Sequence, residues 1–211
     1  MKTSNPDTVT NTTRARESRE NRQQRILDAT VRCVLKSGFH GASMAEIAAE
    51  AKMSVGVIYR YFANKEAIIE AIVDKDMADM RAKFGRWETT PDDQLVDSLL
   101  GVVEPACVHQ FDPDKARLAL EVLSEAARNP RVAAMVARAD AEERRLGREL
   151  WRRIAPGLDE TQLAAREEIM VTLFDGLMVR AVSNPQTNRE TLATAFRQVM
   201  HILMTWPTDA I

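Results

Sequence analysis

Residues 43–65 read SMAEIAAEAKMSVGVIYRYFANK, and the placement of their apolar positions decides the fold. Met44, Ile47, Ala48 and Ala51 recur at helical spacing, Val55, Ile58 and Phe62 do so again, and only Lys52, Met53 and Ser54 separate the two sets. Two short helices joined so briefly make a helix-turn-helix. Ser43 is an N-cap with Glu46 three residues on, the pattern of a capping box, and Ser54 caps the second helix. Ala45, Ala48, Ala49 and Ala51 are small enough for the two helices to pack closely. Gly56 lies in the first turn of the second helix, where glycine costs about 1 kcal/mol against alanine. Close approach of the backbone to a DNA strand accounts for it.

The series Ser43, Ile47, Ala48, Ala51, Ser54, Gly56, Tyr59, Tyr61, Phe62, Lys65 and Glu66 resembles the DNA-binding signature of TetR-family repressors. The likeness extends upstream through Arg25-Ile-Leu-Asp-Ala to Gly38 and Phe39, roughly the first third of the chain. It implies a recognition helix in the major groove of a double-stranded operator. Ser54, Tyr59 and Arg60 then stand nearest the bases or their flanking phosphates, Gly56 permits the approach, and Ser43, Tyr61 and Lys65 grip the DNA backbone. The chain departs from the pattern at Lys52, where the family's turn carries glycine. A left-handed lysine costs about 1 kcal/mol and brings a phosphate contact in exchange. Two shorter stretches, GFHGASM at 38–44 and RNPRVAAM at 128–135, are similar to the repressors of glucuronide-utilisation operons within this family.

Composition bounds the rest. The chain has 211 residues, 45% of them hydrophobic, with 8 Gly and 8 Pro, which is material for one large or two small cores. Ala, Leu, Arg and Glu dominate over β-branched runs, so the expectation is all-α. There is no apolar run of about 20 residues to span a membrane and no apolar signal core at the N-terminus, so the expected location is the cytoplasm, with no membrane partner. Cys33 and Cys107 lack C-x-x-C partners and sit in apolar helical segments, as buried free thiols do; a redox role has no support in the pattern. Net charge is −2, but residues 1–65 hold 11 Lys/Arg against 6 Asp/Glu, while the remainder holds 18 against 25. A basic head on an acidic body suits a DNA-binding domain joined to a regulatory one.

In chain order, residues 1–18 are polar and aperiodic and read as a disordered basic arm. Arg14, Arg16 and Arg19 either lie along a minor groove or belong to a solvated tail. A first helix follows from about 19 to 37, its core face Ile26, Ala29, Thr30, Cys33 and Val34, with Gly38 as its C-cap. The DNA-binding domain thus occupies 19–65. Asn64 caps a long fourth helix, 65 to about 84, leading into a ligand-binding and dimerisation domain at 66–211. Beyond Pro91 periodicity marks helices at about 92–110, 113–128, 130–154, 159–183 and 188–205, with Pro91, Pro113, Pro130, Pro156, Pro185 and Pro207 at or just outside their ends. The body is therefore an α-bundle.

The last two helices are apolar on more than one face, and a helix with one solvent face needs one stripe. One stripe then packs inside the subunit and the other against a second copy, as the resemblance implies, with Leu173, Asp175, Gly176, Leu177, Arg180, Phe196, Val199, Met200 and Leu203 as the expected seam of a homodimer. For a small-molecule inducer the candidates are Trp87, His109, Phe111, Glu121, Met170, Phe174 and Met178: adaptable apolar walls and polar groups set in apolar runs. Sugar conjugates and lipophilic compounds both remain open. An enzyme is not expected, because no nucleotide loop, metal motif or catalytic triad spacing occurs, and no cofactor or metal is called for. Activation of transcription, or a helical adaptor that binds small molecules but not DNA, are the alternatives to repression; the helix-turn-helix spacing speaks against the adaptor.

Overall fold

In the computed structural model the backbone is described for residues 7–206 and the side chains for residues 19–206. The described residues form nine α-helices and no strand: α1 Asp7–Gly41, α2 Met44–Glu50, α3 Val55–Tyr59, α4 Lys65–Gly85, α5 Asp92–Gln110, α6 Pro113–Ala126, α7 Pro130–Ile154, α8 Glu160–Ser183 and α9 Arg189–Thr205. The side chains of the expected arm at 1–18, Arg14 and Arg16 among them, lie outside the described residues. The chain divides into two compact units, with the division inside α4 between Ile72 and Val73.

The first unit is built around one apolar stripe. Ile26, Ala29, Thr30, Cys33 and Val34 of α1 are all buried, and the Thr30 hydroxyl donates to the Ile26 carbonyl at 2.8 Å, so its burial leaves no polar group unserved. Gly38 takes φ 73° and ψ 170°, a conformation L side chains resist, and breaks the helical path of α1 there. Gly41 is required by space: a Cβ on it would stand 2.8 Å from the Ser37 Cβ. The chain can then tuck Phe39 into the core and present Ile47 and Ala48 of α2, Ile58 of α3, and Ile68 and Ile69 of α4 to the same interior. Each buried isoleucine contributes about 1.5–3 kcal/mol.

In the second unit α5 lies along α9, and α6 packs on α7 and α8. Leu95, Leu99, Leu100, Val103 and Cys107 of α5 meet Phe196, Met200 and Leu203 of α9, with Trp87, Phe111 and Trp151 closing the core. Helix starts follow local chemistry. Asp112, Asn129, Asp159 and Asn188 each accept a backbone N–H of the turn they open, and Pro113 and Pro130 sit where a missing N–H costs little. One proline breaks that rule: Pro105 is inside α5. The carbonyl it leaves without a helical donor belongs to Gly101, which is exposed and open to water.

Among the described residues three charged ones, Glu125, Arg166 and Glu167, are as buried as the core leucines. Glu167 is 2% exposed and receives Arg148 on both oxygens, the shortest contact being 2.6 Å, which ties α7 to α8. Arg166, also 2% exposed, donates to the carbonyls of Leu203 and Trp206 and so serves the C-terminal end of α9. Burial raises the thiol pKa of both cysteines above its usual value, most of all through loss of water.

Candidate nucleic-acid interface and effector domain

The turn between α2 and α3 is held by its own backbone. Lys52 sits at φ 54°, donates its N–H to the Ala49 carbonyl at 3.1 Å, and is followed by Met53, whose N–H reaches back to Ala48 at 2.9 Å. This 6→1 and 5→2 pair is a Schellman motif with lysine in the place glycine usually holds. Arg25 of α1 donates to the Ala51 carbonyl at 2.7 Å, so the residue before the strained one is fixed from outside. At the front of α2 the capping box is complete: Ser43 N–H donates to Glu46 at 2.8 Å and Glu46 N–H to the Ser43 hydroxyl at 3.2 Å. Hydrogen bonds to the Glu46 carboxyl from the Ser43 N–H first and the Ser43 hydroxyl second hold it below its usual pKa.

Helix α3 is anchored by Ile58, which is fully buried, and capped by the Ser54 hydroxyl accepting from Val57 N–H at 3.3 Å. At 100° per residue Gly56 and Arg60 fall on the side away from Ile58, Tyr59 stands about 60° from Gly56, and Val55, three residues before Ile58, stands about 60° from Ile58 at the edge of that exposed side. All four are exposed, as are Ser43, Lys52 and Ser54. No atom lies within 4 Å of a Cβ built on Gly56, so nothing inside the protein explains that glycine. Tyr61 and Lys65 are half-buried. Lys65 donates to the Phe39 carbonyl and stands 4.3 Å from the centre of the Phe39 ring, so its ammonium holds the α1 break to the first residue of α4 rather than standing free for phosphate. Val55, absent from the sequence-based candidates, adds an exposed apolar group to α3.

The seven expected ligand residues separate into kinds. Trp87 is buried, with its indole N–H on the Ser98 hydroxyl at 3.1 Å and Phe84 edge-on against it; Phe111 is fully buried. Both belong to the core cluster of the second unit. Met170, Phe174 and Met178 of α8 are half-buried against the core, Phe174 meeting Phe196 at 5.0 Å, and Glu121 is half-buried on α6. His109 is largely open to solvent, its ring nitrogens 2.7 and 3.0 Å from the Lys115 ammonium. Crowding by surrounding atoms, then the charges of Lys115 and Lys83, holds its imidazole below the usual pKa. A recess of about 210 Å³ is lined by Phe84, Glu88, Leu146, Glu149, Leu150 and Arg153; none of the seven lines it.

Carboxylates gather between α7 and α8. Arg144 pairs with Asp140 and Glu168 at 2.8 Å each, while desolvation first and neighbouring carboxylates second raise the pKa of Glu143 and Asp175. The described residues hold no group of side chains arranged to bind a metal ion. On the outside of α4 the ties are ionic: Asp74 to Arg138 at 3.3 Å and Arg81 to Glu142 at 2.9 Å, with Glu142 pulled down to about 2 by hydrogen bonds from Arg145 and Arg81. Arg153 binds Asp92 and the carbonyls of Trp87 and Thr90, fastening the chain between α4 and α5 to the end of α7.

The expected seam is only partly on the surface. Phe196, Met200 and Leu203 are buried in the core of their own subunit because α5 occupies the side of α9 that carries them, while on α8 Leu177 is buried and Leu173 half-buried against the same core. Asp175 and Arg180 are exposed, and a Cβ on Gly176 would meet nothing within 4 Å. The exposed apolar set on these two helices consists instead of Ile169, Val179 and Val182 on α8 and Val199, Ile202 and Trp206 at α9, with Ile202 54% exposed. Of the expected residues, Val199 alone belongs to it.

Comparison with known proteins fits this geometry. A family model described as "Bacterial regulatory proteins, tetR family" matches residues 26–72, and one described as "BetI-type transcriptional repressor, C-terminal" matches residues 95–205. The HTH-type transcriptional regulator UidR of Escherichia coli K12 is 35% identical over 112 residues, 53% of this chain and 55% of that protein. The chain thus spans about half the length of the curated relatives it matches. Salmonella enterica GusR shares the fold at a TM-score of 0.66 and 24% identity, covering 87% of this chain and 95% of that one. So does FadR from Bacillus subtilis, solved with stearoyl-CoA, at 0.71 and 19% over 86% and 97%.

Proposed function

Because the chain belongs to the TetR family of bacterial transcriptional regulators, we propose that it is a homodimeric repressor which holds a palindromic operator in the cytoplasm and is released by a small-molecule inducer. On this reading residues 19–65 hold DNA, and residues 66–211 take the inducer and the second subunit. The observation that carries it is α3, a short helix pinned by Ile58 and presenting Gly56, Tyr59 and Arg60 outward behind a backbone-locked turn. A rigid short helix with a bare backbone suits insertion into a major groove. The exposed apolar set on α8 and α9 supplies a surface for a second copy.

Helix α4 carries the signal. Its first residue, Lys65, is fastened to Phe39, and further along Asp74 and Arg81 are tied to α7. An inducer that fits one packing of α4 to α8 displaces α4 and with it the α1 break. Ligand shifts such an equilibrium only by its differential affinity, so hundredfold release needs about 2.7 kcal/mol of coupling, and operator must weaken inducer binding by the same factor.

The test begins with selection of bound sequences from random DNA by the purified protein, with the mass of the complex read by light scattering. An inverted repeat is expected, its half-sites about 34–36 Å apart or a multiple of that, bound by a dimer. Ile202→Glu should leave a folded monomer with operator affinity down at least about a hundredfold, whereas Leu203→Ala, one residue on but facing inward, should lower stability by about 2–5 kcal/mol and leave the dimer. A site without symmetry, bound by one chain, would sink this reading.

A further inference from the structure

Val55 opens α3 with a β-branched side chain 38% exposed, between a capping serine and a glycine, and Tyr59 one turn on is 53% exposed. A solitary exposed valine on a protein surface needs no explanation. This one opens the helix that the proposed function puts into the major groove, directly after Ser54 and on the same short segment as Lys52 and Arg60, groups suited to phosphates and polar base edges. Phosphate contacts carry no sequence information. In the major groove the apolar group that a base pair offers is the C5-methyl of thymine, and apolar side chains are its partners. Gly56 beside Val55 has empty space where a Cβ would stand, which lets the backbone come close enough for a short side chain to reach. We infer that Val55 is a specificity-determining residue that reads one thymine in each half-site through its methyl group. The inference rests on the DNA-binding reading above and adds to it a residue and a base.

The experiment takes the selected operator and replaces each thymine in turn, symmetrically in both half-sites, with deoxyuracil, which lacks only the methyl. One position should weaken the wild-type complex about fifteenfold, near fourfold per half-site, the worth of one buried carbon. Val55→Ala should bind thymine and deoxyuracil operators equally at that position, and Val55→Ile should keep the preference. Because Val55 is exposed, both variants should unfold at the wild-type midpoint. If no thymine position is sensitive, or if Val55→Ala retains the full sensitivity, Val55 does not read the methyl and the inference falls while DNA binding stands. If selection yields no sequence at all, the DNA-binding reading falls first.

Discussion

The two units contain ion pairs of equal length and unequal meaning. Arg32 meets Glu50 at 2.6 Å in the head, and Arg148 meets Glu167 at 2.6 Å in the body. The first pair is 56% and 43% exposed, so water screens it; in the second the carboxylate is 2% exposed. Surface pairs contribute about 0–1 kcal/mol, whereas removing one partner of a buried pair leaves a charge without compensation at about 3–5 kcal/mol. The head is thus held by apolar packing and backbone caps, with charge left over for DNA. The body spends charge on its own interior.

The largest expected effect breaks that comparison directly. Arg148→Ala should lower unfolding stability by about 3 kcal/mol, the low end of the buried range because the arginine itself is part-exposed, while Arg32→Ala should cost under about 1 kcal/mol. Chemical denaturation of the two variants measures both. Equal losses would mean that Glu167 finds another partner and that burial does not separate the pairs.

The next effect lies along α4, which changes character within one helix. Ile68 and Ile69 bury its beginning, whereas Asp74 and Arg81 tie its later turns to α7 through exposed ion pairs. Glu142 has its pKa pulled below its usual value to about 2, first by Arg145 and then by Arg81. A depressed carboxylate contributes its stability above the unfolded value, about 4.3, and loses it as pH falls through the folded one. Hydrogen exchange should therefore show residues 74–85 loosening between about pH 4 and pH 2 with residues 65–72 unchanged. In Arg81→Ala the Glu142 carboxyl should titrate closer to its ordinary value, as followed by NMR.

What was legible beforehand divides the same way. The head's features are local: the caps at Ser43 and Ser54, the break at Gly38 and the left-handed turn at Lys52 each depend on a few adjacent residues, and all appear where the pattern puts them. The helices of the body are likewise marked by prolines and caps. Pro105 stands inside the helix expected at about 92–110, and α5 does run through it, the carbonyl left without a helical donor being that of the exposed Gly101. Partners distant in sequence were not legible. Two apolar stripes on α8 and α9 tell that two surfaces are covered but not which one faces inward, so Phe196, Met200 and Leu203 were placed on the seam when α5 covers them. Arg166 and Glu167 look like surface charges in the string AAREEI and gain their meaning only from Leu203, Trp206 and Arg148.

The smallest expected effect concerns Lys52, where fold and function pull against each other. Its φ of 54° costs about 1 kcal/mol relative to glycine, offset in part because glycine loses more backbone freedom on folding. Lys52→Gly should therefore stabilise the free protein by a few tenths to about 1 kcal/mol. The Schellman bonds from Lys52 and Met53 and the Arg25 contact to Ala51 involve no lysine side-chain atom, so the turn should keep its shape. If the exposed ammonium neutralises a phosphate, the same substitution should weaken binding to all operator sequences alike and flatten the dependence of log affinity on log salt by about one. A thermal melt and a salt series on one variant read both quantities. Added stability with an unchanged salt slope would confine Lys52 to the turn, leaving the phosphate grip of the head to other residues; a lost slope without added stability would show that the locked backbone already absorbs the strain.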